Sequence, residues 1–438
     1  MTGLAAGFAS GCPVFEAEPA AGGICSSYYI RPNGITRLGS APADEEAYRF
    51  ENGGGHWIFG GDPVLTRFLR SVTPIKSYPR VSSVFFPLID LYVPYPLQNH
   101  LSCLPADVRV KALTEMMTGA KGNPNTMADS LRQNFGDTLT ELFFGPFHEL
   151  YTAGLWTRIA PQDGYKTPVD PALVIRGASE RTPPVGYNAT FLYPELGLNT
   201  LSLRMAERCD IRYHKRVVRI DVPSKEVGFD DGSSSAYGSL ISTLPLNKML
   251  DLADLTLEEE ADPYTSVLVL NIGATRGSKC PLDHWIYLPE TRAGFHRVGF
   301  YDNVDPSFLP RSSRANRERV SIYVERAYPG GQKPSHEDVR LYVAAAVQEL
   351  REWKFIGEAE VVDPTWIDVA YTWSWPGSAW RTKALRLLEA SHIVMMGRYA
   401  KWSFQGIADS IRDGLYVGAA SDARAARSAE ARPAAVGA

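Results

Sequence analysis

The sequence has no surplus of basic residues, no paired cysteines and no long apolar run. Its 438 residues carry 45 Lys and Arg against 49 Asp and Glu, so nucleic-acid binding is not expected to be its main role. The five cysteines lie far apart without a C-x-x-C pair, which argues against a zinc site or a disulfide framework. No apolar stretch reaches the roughly 20 residues that span a bilayer. These absences predict a cytoplasmic protein without a metal site, a nucleic-acid partner or a membrane span.

The start of the chain has an unusual order of elements. Residues 1–9 are small and apolar and predict a helix, and residues 13–16 predict a strand. In a dinucleotide-binding βαβ unit, a strand and the first two glycines of G-x-G-x-x-G precede such a helix. Here they are absent, and we expect a misassigned start codon or a fragment. A secretory leader is not expected, since the first basic residue is Arg31.

The rest of the chain alternates between β-rich and helical parts. Residues 62–160 have mainly helical spacing, and strands are predicted between residues 211 and 243 and again between 265 and 330. An S-x-x-[DE] pattern at Ser335 predicts a helix start, and a last helix carries apolar residues from Ile407 onward. This order predicts an α/β fold in which one nucleotide-binding domain is assembled from discontinuous pieces and closed by a second domain.

Two constellations near the chain ends could bind a dinucleotide. At the first, Glu16 ends a predicted strand, where a carboxylate accepts hydrogen bonds from ribose hydroxyls, and Glu18 is the neighbouring alternative. Gly22 and Gly23 follow and would let the backbone approach a pyrophosphate. A bland alternative for these residues is an exposed acid before a loose turn.

At the second constellation, Gly397 and Arg398 follow a predicted strand and precede a helix that contains Asp409 and Ser410. A guanidinium beside free backbone N–H groups favours an anionic ligand. The alternative is a surface arginine beside a packing cluster of aromatic residues.

Together the two ends resemble the opening and closing FAD motifs of the amine oxidase and protoporphyrinogen oxidase superfamily. The resemblance implies a Rossmann-like FAD-binding domain of residues 1–61, 195–255 and 390–420. It also implies a helical substrate or cap region over 62–194, a substrate-domain β-sheet with a helix over 256–389, and a disordered tail over 421–438. The implied FAD contacts are Gly3, Glu16, Gly22, Gly23, the backbone of Val217 or Val218, Gly397, Arg398, Asp409 and Ser410.

Segments in the middle of the chain are similar to UDP-galactopyranose mutases. G-G-G-H-W at residues 53–57 resembles their loop that faces the flavin, which implies flavin contacts from Gly54, Gly55 and His56. F-H-R at 295–297 resembles their arginine-bearing strand that clamps a pyrophosphate. Further implied substrate residues are Gln98, Trp156, Asn188, Arg297 and Tyr371, with Tyr151 near Trp156. Phe404 stands where these mutases have a tyrosine, and Arg176 is the nearest candidate for a second clamp arginine.

The resemblance implies an enzyme that converts the pyranose form of a nucleotide-sugar to the furanose form. Reduced FAD would act through its N5 with no net oxidation, His56 and Arg297 would be catalytic, and a reductant such as NAD(P)H would be a partner. The alternative is an FAD-dependent oxidoreductase of the amine oxidase or protoporphyrinogen oxidase type, because the same fold serves both chemistries. A third hypothesis is a chain that binds no FAD and acts as a partner protein.

Overall fold

The computed structural model describes residues 1–60, 62–119, 122–161, 169–183 and 189–430, with backbone alone for 422–430. The described residues contain twelve α-helices: α1 Thr2–Ser10, α2 Pro63–Val72, α3 Ala106–Thr118, α4 Met127–Leu139, α5 Gly145–Tyr151, α6 Pro171–Gly177, α7 Leu198–Ala206, α8 Leu246–Leu252, α9 Tyr301–Val304, α10 His336–Glu352, α11 Trp380–Ala390 and α12 Ile407–Glu430. A π-helical turn, Thr140–Phe144, joins α4 to α5.

The strands of the same residues are β1 Val14–Phe15, β2 Ser27–Ile30, β3 Tyr48–Glu51, β4 Ile58–Phe59, β5 Ile75–Pro79, β6 Ser82–Phe86, β7 Leu91–Pro94, β8 Thr190–Pro194, β9 Ile211–Arg212, β10 Val217–Asp221, β11 Glu226–Phe229, β12 Ser234–Ala236, β13 Leu240–Ser242, β14 Tyr264–Arg276, β15 Trp285–Tyr287, β16 Arg297–Phe300, β17 Arg319–Pro329, β18 Ile356–Thr372 and β19 Ile393–Met395. The predicted mixed α/β fold is confirmed.

The two ends of the chain pack against each other. Parallel strand pairs β1–β9 and β13–β19 accompany α1, and each pair joins segments that are far apart in the sequence. On α12, Gly414 and Gly418 press against α1, where an added Cβ would overlap the backbone oxygens of Thr2 and Ala6. Small residues on both helices therefore permit a close contact that larger side chains would prevent.

A seven-stranded sheet in the order β18-β14-β17-β16-β15-β6-β7 forms the centre of the described chain. Alternation along its strands separates two apolar cores, as the two-residue period of a strand requires. Val269 and Tyr323 face the core that includes α1 and β3, whereas Leu270 and Val324 face the core that α10 covers. Glu325 is two residues beyond Tyr323 and lies on the same face as Tyr323.

Helices α3 to α5 form a third core with β6 and β7, rich in phenylalanine from Phe135 to Phe144. The prediction of mainly helical structure over 62–160 is therefore correct for these helices but missed β5 and β7. Strand β6 ends at Phe86, because Pro87 begins a 3₁₀ turn that leaves Leu88 and Ile89 exposed.

The start of α10 agrees with the prediction, whereas α12 is longer than predicted. Ser335 caps α10 in a complete capping box with Asp338, as the pattern predicted. The expected tail over 421–438 is corrected in part: α12 continues to Glu430, since its alanine-rich sequence has high helix propensity, and residues 431–438 lie outside the described range. Within the described residues, no helix combines the length and apolar character that crossing a bilayer needs.

Candidate active site

A cavity of about 580 Å³ runs between the chain ends and the seven-stranded sheet. Its wall combines the N-terminus of α1, the ends of β1 and β19, the loop at residues 53–57, and strands β15 to β17. Of the predicted site residues it is lined by Gly3, Glu16, Gly22, Gly23, Gly55, His56, Arg297, Tyr371, Gly397, Arg398, Phe404 and Ser410. Residues more than 390 positions apart in the sequence thus meet around one space.

One end of the cavity has the groups that a dinucleotide needs. Gly3 in the first turn of α1 lines it, and the first backbone N–H groups of a helix have no acceptor within the helix. Glu16 lines it at the end of β1, whereas Glu18 forms an ion pair with Arg216 outside it. Of the two candidate carboxylates, Glu16 is therefore the one that lies at the cavity.

Gly397 brings the chain past the start of α1. Its φ of +93° favours glycine, and an added Cβ would lie 2.6 Å from the Oγ1 of Thr2. The next side chain, Arg398, extends along the cavity wall, with its guanidinium carbon 4.9 Å from the ring centre of Phe404 and 5.3 Å from that of Tyr371. Arg398 also donates a hydrogen bond to the carbonyl of Ala370, so its position is fixed from two sides.

The glycine-rich loop at residues 53–57 packs on β17. An added Cβ at Gly55 would overlap the hydroxyl of Tyr323, so this contact requires glycine. Gly54, within the loop, has a φ of +80° and lies beside Glu325. The carbonyl oxygen of Gly54 lies 3.1 Å from Nδ1 of His56. Burial lowers the pKa of His56 to about 4, which keeps its imidazole neutral at pH 7.

An ion pair between Arg297 and Glu325 forms part of the cavity wall. The Nε of Arg297 donates to Glu325 Oε2 over 3.0 Å, and its Nη2 contacts both carboxylate oxygens at 2.5 and 2.6 Å. His296 Nε2 lies 3.6 Å from the same carboxylate. Burial by itself raises the pKa of Glu325, but the charge of Arg297 and the neighbouring His296 lower it to about 2. Glu325 is therefore ionised at any physiological pH.

A cluster of aromatic rings forms another part of the cavity wall. Tyr151, from the end of α5, has its ring centre 4.7 Å from that of Tyr371 and 5.3 Å from that of His296. Phe147, on α5, lies 5.9 Å from His296. Burial raises the pKa of Tyr371 to about 12, so its hydroxyl keeps its proton. The rings exclude water and leave neutral hydroxyls as hydrogen-bonding groups.

Several predicted site residues do not reach this cavity. Neither Val217 nor Val218 lines it, because β10 turns away to pair with β11, and Ile211 lines it instead. Asp409 pairs with Arg412 on the surface of α12. The four other predicted residues outside the cavity wall are Gly54, Gln98, which is fully buried in a 3₁₀ turn, Trp156, whose indole donates to Glu149, and Arg176, which is exposed and pairs with Glu180. Asn188 lies outside the described residues.

Glu325 and His296 were missed by the sequence analysis. Glu325 had one signal, since it is a carboxylate inside the apolar run V-S-I-Y-V-E of β17. Its pairing with Arg297 depends on the register of β16 against β17, in which these two residues are directly opposite. That register could not be predicted from the sequence, because no local pattern specifies which residues of two strands are opposite each other.

Comparison with known proteins identifies the family of this chain. The family profile described as "Flavin containing amine oxidoreductase" matches residues 11–423. The chain belongs to this family.

Several solved structures share the fold of this family member. Reduced UDP-galactopyranose mutase matches it with a TM-score of 0.79 at 19% identity, over 95% of this chain and 92% of that one. A candidate protoporphyrinogen oxidase from Exiguobacterium sp. 255-15 matches with a TM-score of 0.66 at 15% identity, over 97% of both chains. A CLA-producing fatty acid isomerase from P. acnes matches with a TM-score of 0.57 at 13% identity, over 95% of both. At identities of 13–19%, the likeness shows a shared fold alone.

Family membership implies a flavin cofactor, and the residues of the cavity fit one. Gly22 and Gly23 line the cavity near the N-terminus of α1 and place no side chain in it. The N-terminal turn of α12 lines the same cavity. Gln405 lines the cavity, and its buried Oε1 has no hydrogen-bond partner among the described residues. A bound group with hydrogen-bond donors would satisfy that atom.

Proposed function

We propose that this flavoprotein binds FAD and acts as a nucleotide-sugar mutase of the UDP-galactopyranose mutase type. The observation that carries the proposal is one cavity that brings a guanidinium, Arg297, and a neutral imidazole, His56, together with the residues that fit a dinucleotide. An oriented guanidinium is suited to hold a diphosphate leaving group. When bound, reduced flavin supplies the nucleophilic N5 for the sugar carbon, and no net electron leaves it.

The side chains of the cavity have separate roles in this proposal. Glu16 accepts hydrogen bonds from ribose hydroxyls of the cofactor, and Arg398 supplies a positive charge at the flavin end. Arg297 holds the diphosphate while the sugar is detached from it, where each charge-assisted hydrogen bond is worth about 1.5–3 kcal/mol. Neutral His56 donates or accepts a hydrogen bond at the flavin, and Tyr371 offers a protonated hydroxyl to the sugar. A reductant such as NAD(P)H would supply the electrons that keep the flavin reduced.

Two observations favour an oxidoreductase as the second candidate. Glu325 neutralises Arg297, and Phe404 presents a ring without a hydroxyl near Arg398. Together with the aromatic wall, these features suit an apolar substrate that gives a hydride to flavin. The fold likeness does not choose, because mutase, oxidase and isomerase share it.

Turnover stoichiometry separates the two candidates. FAD-loaded protein, reduced with dithionite without oxygen, is incubated with UDP-galactopyranose, and the furanose product is followed by chromatography. We expect product without consumption of reductant. Arg297→Gln should lower kcat/KM at least about a hundredfold, whereas Arg319→Gln, which removes a paired arginine outside the cavity wall, should not. An absence of furanose, with one acceptor consumed per turnover on another substrate, would contradict the mutase proposal.

A further inference from the structure

The Arg297–Glu325 pair leaves one nitrogen of the guanidinium for a ligand. Nε and Nη2 of Arg297 both face the carboxylate, and Nη1 has no hydrogen-bond partner among the described residues. The guanidinium carbon also lies 5.7 Å from the ring centre of Tyr323, which limits rotation of its plane. The edge of the guanidinium formed by Nε and Nη2 is thus occupied by Glu325, and Nη1 is left to donate to a ligand.

The carboxylate is held as firmly as the guanidinium. The side chain of Glu325 is 2% exposed and that of Arg297 is 22% exposed, so the arginine is the more accessible partner in the cavity wall. The glycine loop packs on Glu325 from behind, since an added Cβ at Gly54 would lie 3.0 Å from its Oε1. His296 stands at 3.6 Å on another side and is itself buried. A carboxylate enclosed in this way cannot swing aside without disturbing the loop that carries His56.

The pair also sets the charge of the substrate half of the cavity. Among the described lining residues, Arg297 and Arg398 are the arginines and Glu16 and Glu325 are the carboxylates, with Glu325 bound to Arg297, while burial lowers the pKa of His56 and of His296. Glu325 therefore offsets the positive charge of Arg297 that an anionic ligand would meet. A cavity selected only for tight binding of anions would lack this carboxylate.

We propose that Glu325 is a positioning residue that orients Arg297 and weakens the attraction of the cavity for anions, so that a diphosphate is recognised by its geometry. This inference rests on the proposed function for the identity of the anion. The arrangement exchanges affinity in the ground state for a fixed guanidinium during release and recapture of the diphosphate. Glu325 acts through Arg297 and does not contact the reacting atoms.

Titration with inorganic pyrophosphate tests the charge effect without turnover. Binding to the FAD-loaded protein is measured by isothermal titration calorimetry at constant ionic strength. Glu325→Gln should bind pyrophosphate at least about tenfold more tightly than the unaltered protein, because a buried counter-charge is removed. The double variant Glu325→Gln/Arg297→Gln should lose that gain. Unchanged or weaker binding by Glu325→Gln would overturn the proposal.

Glu325→Asp tests orientation separately from charge. The shorter carboxylate keeps its charge but cannot reach both nitrogens of Arg297 in the same way. Pyrophosphate affinity should stay within about twofold of the unaltered protein while kcat on the sugar nucleotide falls about tenfold or more. Binding as tight as that of Glu325→Gln would contradict a charge effect, and an unchanged kcat would contradict orientation. This variant also keeps the test valid if Glu325→Gln does not fold.

Glu360→Gln is the matched control. Glu360 accepts from Nε of Arg319 through both carboxylate oxygens, at 3.0 and 2.9 Å, on the same sheet but outside the cavity wall. Its pyrophosphate binding should equal that of the unaltered protein. A gain in Glu360→Gln equal to that in Glu325→Gln would show a general effect of net charge and overturn the proposal. Failure of the mutase proposal appears separately, as lack of furanose product while the pyrophosphate titrations still differ.

Discussion

The protonation state of His56 depends on the surroundings of its ring. The carbonyl of Gly54 lies next to its ring, and the imidazole sits in the cavity wall where a charged form is poorly solvated. The sequence indicated a histidine after three glycines, which is a local pattern. Its protonation state depends on what surrounds the loop, and that was not readable from the local pattern.

The charge state of His56 predicts a pH effect on stability. Its pKa is about 4 in the folded protein and 6.5 when unfolded, so the unfolded chain binds more protons between these values. The free energy of unfolding should therefore fall as the pH falls from 6.5 to 4, by at most about 3 kcal/mol from this residue. Urea unfolding at several pH values should show a smaller fall for His56→Gln.

The exposed His336 provides the control for this effect. His336→Gln should follow the pH dependence of the unaltered protein, because the substitution changes only an exposed side chain. The same slope in His56→Gln as in the unaltered protein would contradict a buried neutral histidine at residue 56.

At the scale of elements, the start of a helix can be predicted from the sequence more readily than a contact between two helices. The start of α10 was predictable because Ser335 and Asp338 form a capping box within four residues. The contact between α1 and α12 was not, because it joins residues about 400 positions apart. Glycines at 414 and 418 do not indicate a partner until the second helix is in place.

The close contact between α1 and α12 predicts that Gly414→Ala lowers the stability of the protein. Alanine there would overlap the backbone oxygen of Thr2 and push α12 away from α1, although alanine favours the helix itself. We expect the free energy of unfolding in urea to fall by about 1–3 kcal/mol. Flavin binding should weaken too, since Thr2 and Gly3 line the cavity.

Ala419→Leu is the control on the same helix. Residue 419 is exposed, so added volume meets solvent and the change should stay within about 0.5 kcal/mol. Equal losses in the two variants would indicate a general sensitivity of α12 and not a close contact at Gly414.

For the whole molecule, the cavity joins segments from both ends of the chain, so a cofactor that fills it should stabilise the folded state. FAD at a free concentration 100 times its dissociation constant should raise the free energy of unfolding by about 2.7 kcal/mol. Thermal unfolding with and without added FAD measures this effect, and flavin fluorescence gives the dissociation constant.

Two nearby carboxylates provide a matched pair for this prediction. Glu16→Gln should weaken FAD binding by about tenfold or more, because Glu16 lines the cavity and would lose charge-assisted hydrogen bonds. Glu18→Gln should change it less than about twofold, because Glu18 pairs with Arg216 on the surface. An equal effect of both changes would contradict the placement of the ribose at Glu16.

The sequence by itself determined the features that depend on neighbouring residues: the mixed α/β class, the capped start of α10, and the glycine and arginine motifs at the flavin end. The tertiary structure alone decided which of two carboxylates, Glu16 or Glu18, faces the cavity, and that Glu325 pairs with Arg297. Local patterns are set by backbone preferences over a few residues, whereas these pairings follow from strand register and helix packing between distant segments.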